Sequence, residues 1–215
     1  MKVLYKISVL GLVLLVLNSC FNDVKEKYNQ AKKGISNTSI IVNEAQKVEA
    51  RIDKLKNTTP LTNEQLKAWL PEYLESFKRQ GFKVGKTAYA NVASIQGTYV
   101  LVHEETLGEH LKPEYTEKKF IVNITDGAGP TGGIMISALQ MAVKVDVEEE
   151  NDHKHLKSVT VNGIKAQETY FKKKNSTDIQ FIFKDRFGVT INAKNMMPEE
   201  TWQLVKELNL KQLTK

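Results

Sequence analysis

The hydrophobic positions of this chain fall into three textures. Behind Lys2 and Lys6, the residues from Ile7 to Leu17 form an almost unbroken apolar run of eleven. From Phe21 to Thr59 the apolar positions are spaced in threes and fours: Val24, Tyr28, Ala31 and Ile35, then Ile41, Ala45, Val48, Ile52 and Leu55. That spacing predicts one helical stripe. The step from Ile35 to Ile41 is six rather than seven, and Gly34 with Ser36-Asn37-Thr38-Ser39 lies at the slip, so two helical pieces or one bent helix are expected. Beyond Thr59 the pattern turns to short β-rich runs separated by polar breaks.

The third part opens with Thr62-Asn63-Glu64-Gln65, a capping-box arrangement that starts a helix reaching about Leu70. The β-rich runs are 82–95, 98–103, 120–125, 156–161, 166–172, 179–184 and 188–193, several of them alternating apolar with polar residues. Asn162-Gly163 tolerates positive φ at both positions and predicts a tight hairpin, so consecutive strands should be antiparallel. Two further helices are predicted. One spans about Gly133 to Lys144, with Ile134, Ala138, Met141 and Val145 sharing a face. The other spans Pro198 to Leu208, with Trp202, Val205 and Leu208 sharing a face. The expected fold class is α+β: an antiparallel β-sheet with helices packed on one face over 60–215, preceded by an N-terminal helical stalk or helical hairpin. Trp69, Tyr73, Phe77, Phe181, Phe183 and Trp202 fall where a core needs them.

The first stretch has the layout of a signal peptide. A permanent membrane span needs about 20 apolar residues, and eleven are too few. Leu17-Asn18-Ser19-Cys20 follows, and this segment resembles the lipobox of bacterial lipoproteins. The resemblance implies a signal peptide over 1–19, cleavage before Cys20, and a lipid on the Cys20 sulfur that tethers the protein to a membrane. Residues 20–59 then form a lipid-anchored helical spacer. That 24–57 helix is either a coiled-coil stalk that drives oligomerisation or a helix packed on its own domain, and the pattern leaves both open. Phe21 is not the aspartate associated with inner-membrane retention, so the cell envelope, and the outer membrane before the inner, is the expected location.

Cys20 is the only cysteine in 215 residues, so no disulfide forms within the chain and the exported part depends on its core. The full sequence carries 31 basic and 25 acidic residues. Loss of the signal removes Lys2 and Lys6, leaving a surplus of four positive charges spread along the chain. Such a surplus suits a membrane surface and does not argue for nucleic acid.

Four segments carry a second resemblance: Leu70-Pro71-Glu72-Tyr73-Leu74 with Lys78-Arg79, Ile124-Thr125-Asp126-Gly127-Ala128-Gly129, Asn162-Gly163 with Glu168-Thr169-Tyr170, and Arg186-Phe187-Gly188-Val189 before a closing helix. Together they resemble an uncharacterised bacterial exported domain over about Leu61 to Leu213. The resemblance implies a small α+β domain without an assigned activity, and it transfers no catalytic residue.

The remaining chemistry is sparse. Gly127-Ala128-Gly129-Pro130-Thr131-Gly132 has the spacing of a dinucleotide loop, with Asp146 some twenty residues on. That function needs a parallel βαβ unit, whereas the surroundings read as antiparallel and Pro130 stiffens the loop. A plain strand-to-helix connection is favoured, with an anion site at the helix start left open. His103 and His110, and His153 and His155, sit in acidic neighbourhoods without metal-ligand spacing, which favours solvated surface over a metal site. No Gly-x-Ser-x-Gly elbow occurs. The expectation is a non-enzymatic envelope interaction or scaffold domain, without cofactor or metal, that meets another envelope protein; the alternative is a binder of a small apolar or anionic ligand.

Overall fold

In a computed structural model, residues 38–86, 92–102 and 118–214 are described. The signal segment, Cys20, the first half of the spacer, His103 and His110 lie outside them. The chain divides into two units, Met1–Lys47 and Val48–Lys215, and the sheet with the second half of the first helix belongs to the latter.

Helix α1 spans Thr38–Lys56, and its stripe ends in Ile52 and the buried Leu55. Helix α2 (Asn63–Trp69) starts at the predicted capping box. The Thr62 hydroxyl accepts from the Gln65 amide, and the Gln65 side chain accepts from the Thr62 amide. A cap of this type stabilises a helix start by about 1 kcal/mol. Strands β1 (Tyr73–Leu74), β2 (Phe77–Lys86), β3 (Ala93–Leu101) and β4 (Lys119–Asp126) follow as an antiparallel meander. Helix α3 (Pro130–Lys144) then carries the chain to the opposite edge of the sheet. There β5 (Glu148–Glu150), β6 (Lys154–Val161), β7 (Ile164–Phe171), β8 (Ser176–Phe183) and β9 (Phe187–Lys194) return as a second meander that joins the first where β9 pairs with β4. Helix α4 (Pro198–Glu207) and a 3₁₀ turn at Leu210–Thr214 close the described chain.

The sheet order is β1-β2-β3-β4-β9-β8-β7-β6-β5, with every neighbouring pair antiparallel. The β6–β7 turn is the predicted Asn162-Gly163 pair, at φ 52° and 78°. Alternation along each strand builds one apolar face. Ile95, Ile124, Val189, Phe181 and Ala166 lie opposite one another across β3, β4, β9, β8 and β7, all essentially inaccessible to solvent. Leu66 and Trp69 of α2, with Leu204 and Val205 of α4 and Leu208 just after it, belong to the same core.

The helices do not share one face of the sheet, contrary to the expectation from sequence. Gly188 points away from the core face, between Phe187 and Val189. A Cβ placed on it would lie 2.9 Å from Ile136 Cδ1 and 3.2 Å from Leu139 Cδ2 of α3. Gln167, likewise between the core residues Ala166 and Glu168, donates to the Ala142 carbonyl of α3. Helix α3 therefore lies on the reverse face, and the domain has three layers rather than two. Its buried side is Gly132, Gly133, Ile136, Ser137 and Val143. Ile134, Ala138, Met141 and Val145, the positions that mark the helix in the sequence, are exposed.

Candidate functional site

Local chemistry concentrates where the chain leaving α1 meets the β4–α3 loop. Asp126 ends β4 and is wholly buried. Arg186 is presented by the β8–β9 turn, where Lys184 and Asp185 both hold positive φ (53° and 55°), an uncommon conformation outside glycine. Arg186 Nε donates to Asp126 Oδ1 at 2.7 Å and Nη2 donates to Oδ2 at 2.8 Å. The same carboxylate accepts from the amides of Leu61 (2.8 Å) and Ala128 (3.0 Å). Arg186 Nη2 also donates to the Thr59 carbonyl at 3.0 Å, and the guanidinium lies 4.9 Å from the centre of the Phe187 ring. A buried ion pair is favourable only when such extra bonds satisfy both groups. Both oxygens of Asp126 have two partners, so this carboxylate acts as a clasp.

The glycine loop serves the same junction. The Gly129 amide donates to the Leu55 carbonyl at 2.8 Å, and a Cβ on Gly133 would meet Leu55 Cβ at 3.2 Å. Gly132 packs on the backbone of Gly127, where a Cβ would come within 2.7 Å of its carbonyl. The glycines are thus required by the close approach of the protein's own backbone. The strand before the loop is antiparallel to both of its neighbours, so the parallel unit of a dinucleotide site is not formed around it. Asp146 lies at the exposed end of α3 and pairs with Lys165 at 2.6 Å. An open cleft of about 510 Å³ remains between Lys56–Pro60 and Ala128–Gly132. The Gly129 and Gly133 amides at its edge already donate within the chain.

A second cleft, of about 580 Å³, lies between α4 and the β6–β7 hairpin, with Val161, Ile164, Phe183, Trp202, Val205 and Leu210 among its walls. Trp202 stacks on Phe181 with ring centres 6.0 Å apart, and its Nε1 donates to Glu168 Oε2 at 2.7 Å. Glu168 is almost fully buried, and its other oxygen lies 3.4 Å from Lys157 Nζ. The sequence pattern assigns Trp202 to the core but gives no sign of this polar contact, because the two residues lie 34 positions apart and meet only in the folded domain.

Of the described histidines, His153 and His155 do not converge on a common site. His155 Nε2 lies 3.2 Å from Glu148 Oε1, while His153 precedes β6 and its amide donates to Asn151. No group of three or more His, Cys, Asp or Glu that could hold a metal is found among the described residues. Glu150 is held below the usual carboxylate range by its hydrogen bond and charge contact with Lys172. Tyr99, buried and donating to the Pro71 carbonyl at 2.8 Å, is pushed above the usual phenol range by burial, against the smaller opposing effect of Arg79. Neither group faces the clefts described above.

The third feature is the outward side of α3. Ile134 and Val145 are 59 % exposed, Met141 50 % and Met135 43 %. From Pro130 to Val143 the chain carries no charged side chain. A helix that is apolar on all sides is normally covered on all sides. No family model matches this chain, and no curated protein or solved structure matches it either.

Proposed function

We propose that this protein is an envelope lipoprotein, cut before Cys20 and tethered by the lipid on that residue, whose α+β domain is a non-enzymatic interaction or scaffold module. The outer membrane is the preferred site. The helical spacer over 20–59 sets the reach, and the Asp126–Arg186 clasp fixes the end of that spacer to the domain. The observation that carries the interaction reading is the uncharged outward face of α3. An apolar patch of this kind marks a docking surface more often than a free one. The test is a photo-crosslinking side chain at Met141 in the full-length protein in membranes. A discrete crosslinked protein species is expected; recovery of the uncrosslinked chain alone overturns the reading.

A second reading rests on the cleft beside α4. Its apolar walls suit a small apolar ligand, and at its rim the exposed Lys206 and Lys211 outnumber Glu207, which favours an anionic end. Titration with a medium-chain fatty acid should then change the fluorescence of Trp202, and an unchanged spectrum that also persists in Trp69→Phe removes this alternative.

A further inference from the structure

We infer that the reverse side of β2, β3 and β4 carries a binding site for an anionic saccharide, with the acid group between Lys83 and Lys119 and the sugar hydroxyls on the amides beside them. The site lies apart from the outward face of α3 and does not depend on what meets that face. Helix α3 packs on β7, β8 and β9. Along β4, alternation buries Phe120, Val122 and Ile124 in the core and leaves Lys119, Ile121 and Asn123 partly exposed on the reverse side. Pairing extends that side across the strands. Lys83 lies opposite Gln96, Gln96 opposite Asn123, and Asn123 opposite Thr190, while Thr98 lies opposite Ile121.

A bulge shapes the site. The β2–β3 register shifts between Arg79 and Gly81, which leaves Gln80 without a partner on β3. Bulges of this kind re-aim side chains beside binding sites. Here Gln80 joins Lys83, Gln96, Thr98 and Lys119 around a cleft of about 320 Å³. Gly81 borders it too, and a Cβ there would meet nothing within 4 Å, so the cleft is open space rather than packing.

Charge and hydrogen bonding name the ligand. The described walls hold two lysines and no acid. Lys119 also stands directly opposite Lys194 across β4 and β9, a pairing of like charges that costs stability. Neither of these two lysines pairs with an acid among the described residues. Asp178 shares this side of the sheet on β8, and the Asn192 amide already donates to it at 3.0 Å. Gln80, Gln96 and Thr98 add groups that both donate and accept, as sugar hydroxyls do. A protein partner fits less well, because protein interfaces centre on apolar anchors and Phe82 is the one apolar side chain among the described walls.

The test is retention of the full-length protein, in detergent, on immobilised polygalacturonate, with immobilised dextran as the uncharged control. Binding to polygalacturonate and not to dextran is expected, with release by oligogalacturonate at constant ionic strength. Lys83→Gln and Lys119→Gln should each weaken retention roughly tenfold, the worth of one charge-assisted hydrogen bond. Gly81→Leu changes no charge and has room at its Cβ, and by filling the cleft it should cost as much. Lys67→Gln, on α2 over the opposite side of the sheet, removes the same charge and should change nothing. No retention on polygalacturonate overturns the proposal. Equal loss in Lys67→Gln reduces the binding to net charge and overturns the site. Retention unaffected by Lys83→Gln and Lys119→Gln also overturns it, leaving those lysines to acids of the chain itself, such as those of 103–117. Release by glycerol phosphate and not by oligogalacturonate replaces the saccharide with a lipid headgroup.

Discussion

The Asp126 carboxylate, wholly enclosed at the end of β4, receives both Nε and Nη2 of Arg186 at 2.7 and 2.8 Å, although the two residues lie 60 positions apart. Through Thr59 and Leu61 the pair also holds the segment that joins α1 to α2. Removing one partner strands a buried charge, at a cost of about 3–5 kcal/mol. Asp126→Ala and Arg186→Ala should each lower unfolding free energy by that amount in urea titrations. Arg186→Lys should recover only part of it, since an ammonium cannot make the two-pronged contact. A loss below about 1 kcal/mol for Asp126→Ala would show that the junction is held by something else.

The glycine loop gives a graded set. A Cβ on Gly127 would overlap Ile136 Cγ1 and sit 2.6 Å from the Arg186 carbonyl, whereas one on Gly81 would meet nothing within 4 Å. Gly127→Ala should therefore destabilise by about 1–3 kcal/mol through overpacking. Gly81→Ala should remain within ~0.5 kcal/mol of the parent. Equal effects at the two sites in thermal unfolding would contradict the packing described.

What could be read from the sequence was local. The Thr62–Gln65 box and the Asn162-Gly163 turn lie in contiguous residues whose chemistry dictates their geometry, and both appear as expected. The antiparallel α+β class followed from alternation and turn spacing. The Asp126–Arg186 pair did not, because its members meet only after β9 docks beside β4. Helix α3 misled for another reason: lacking charges, it has two apolar stripes, and periodicity alone cannot say which one faces the sheet. Gly132 and Gly133 were the overlooked signal, since glycine in a helix marks the side where backbone approaches closely. Strand β5 went unseen because Glu148–Glu150 reads as a solvated charge run, which on an edge strand it also is.

Tyr99 supplies a pH dependence. Burial raises its phenol in the folded state above the value near 10 of the unfolded chain. The neutral phenol therefore contributes fully below pH 10. Above it the unfolded chain gives up its proton first, and stability falls by up to ~1.4 kcal/mol per pH unit until the folded phenol also ionises. Tyr99→Phe removes this group, so the slope of stability against pH between 10 and 12 should be shallower in the variant. Parallel curves for the two proteins would assign the alkaline loss to other groups.

Cys20 carries the anchoring proposal. If the chain is processed there, Cys20→Ser abolishes incorporation of labelled palmitate and leaves an uncleaved or unanchored form, visible as a shift in mobility and in membrane fractionation. The described domain should be unaffected, because Cys20 lies outside it. Continued labelling of the variant would remove the lipid from this residue and the tether from the proposed function.

The two stripes of α3 can be told apart by truncation. Ile136 is buried at 1 % exposure between the helix and the reverse face of the sheet, in the space left by Gly127 and Gly188. Ile136→Ala removes packing that nothing nearby replaces, and should cost about 2–4 kcal/mol. Met141, half exposed on the outward stripe, gives up little on the same change, so Met141→Ala should stay within about 0.5 kcal/mol in dilute solution. If Met141→Ala instead proves as costly as Ile136→Ala in dilute monomer, the outward stripe is packed within the chain itself, and α3 has no free face to offer a partner.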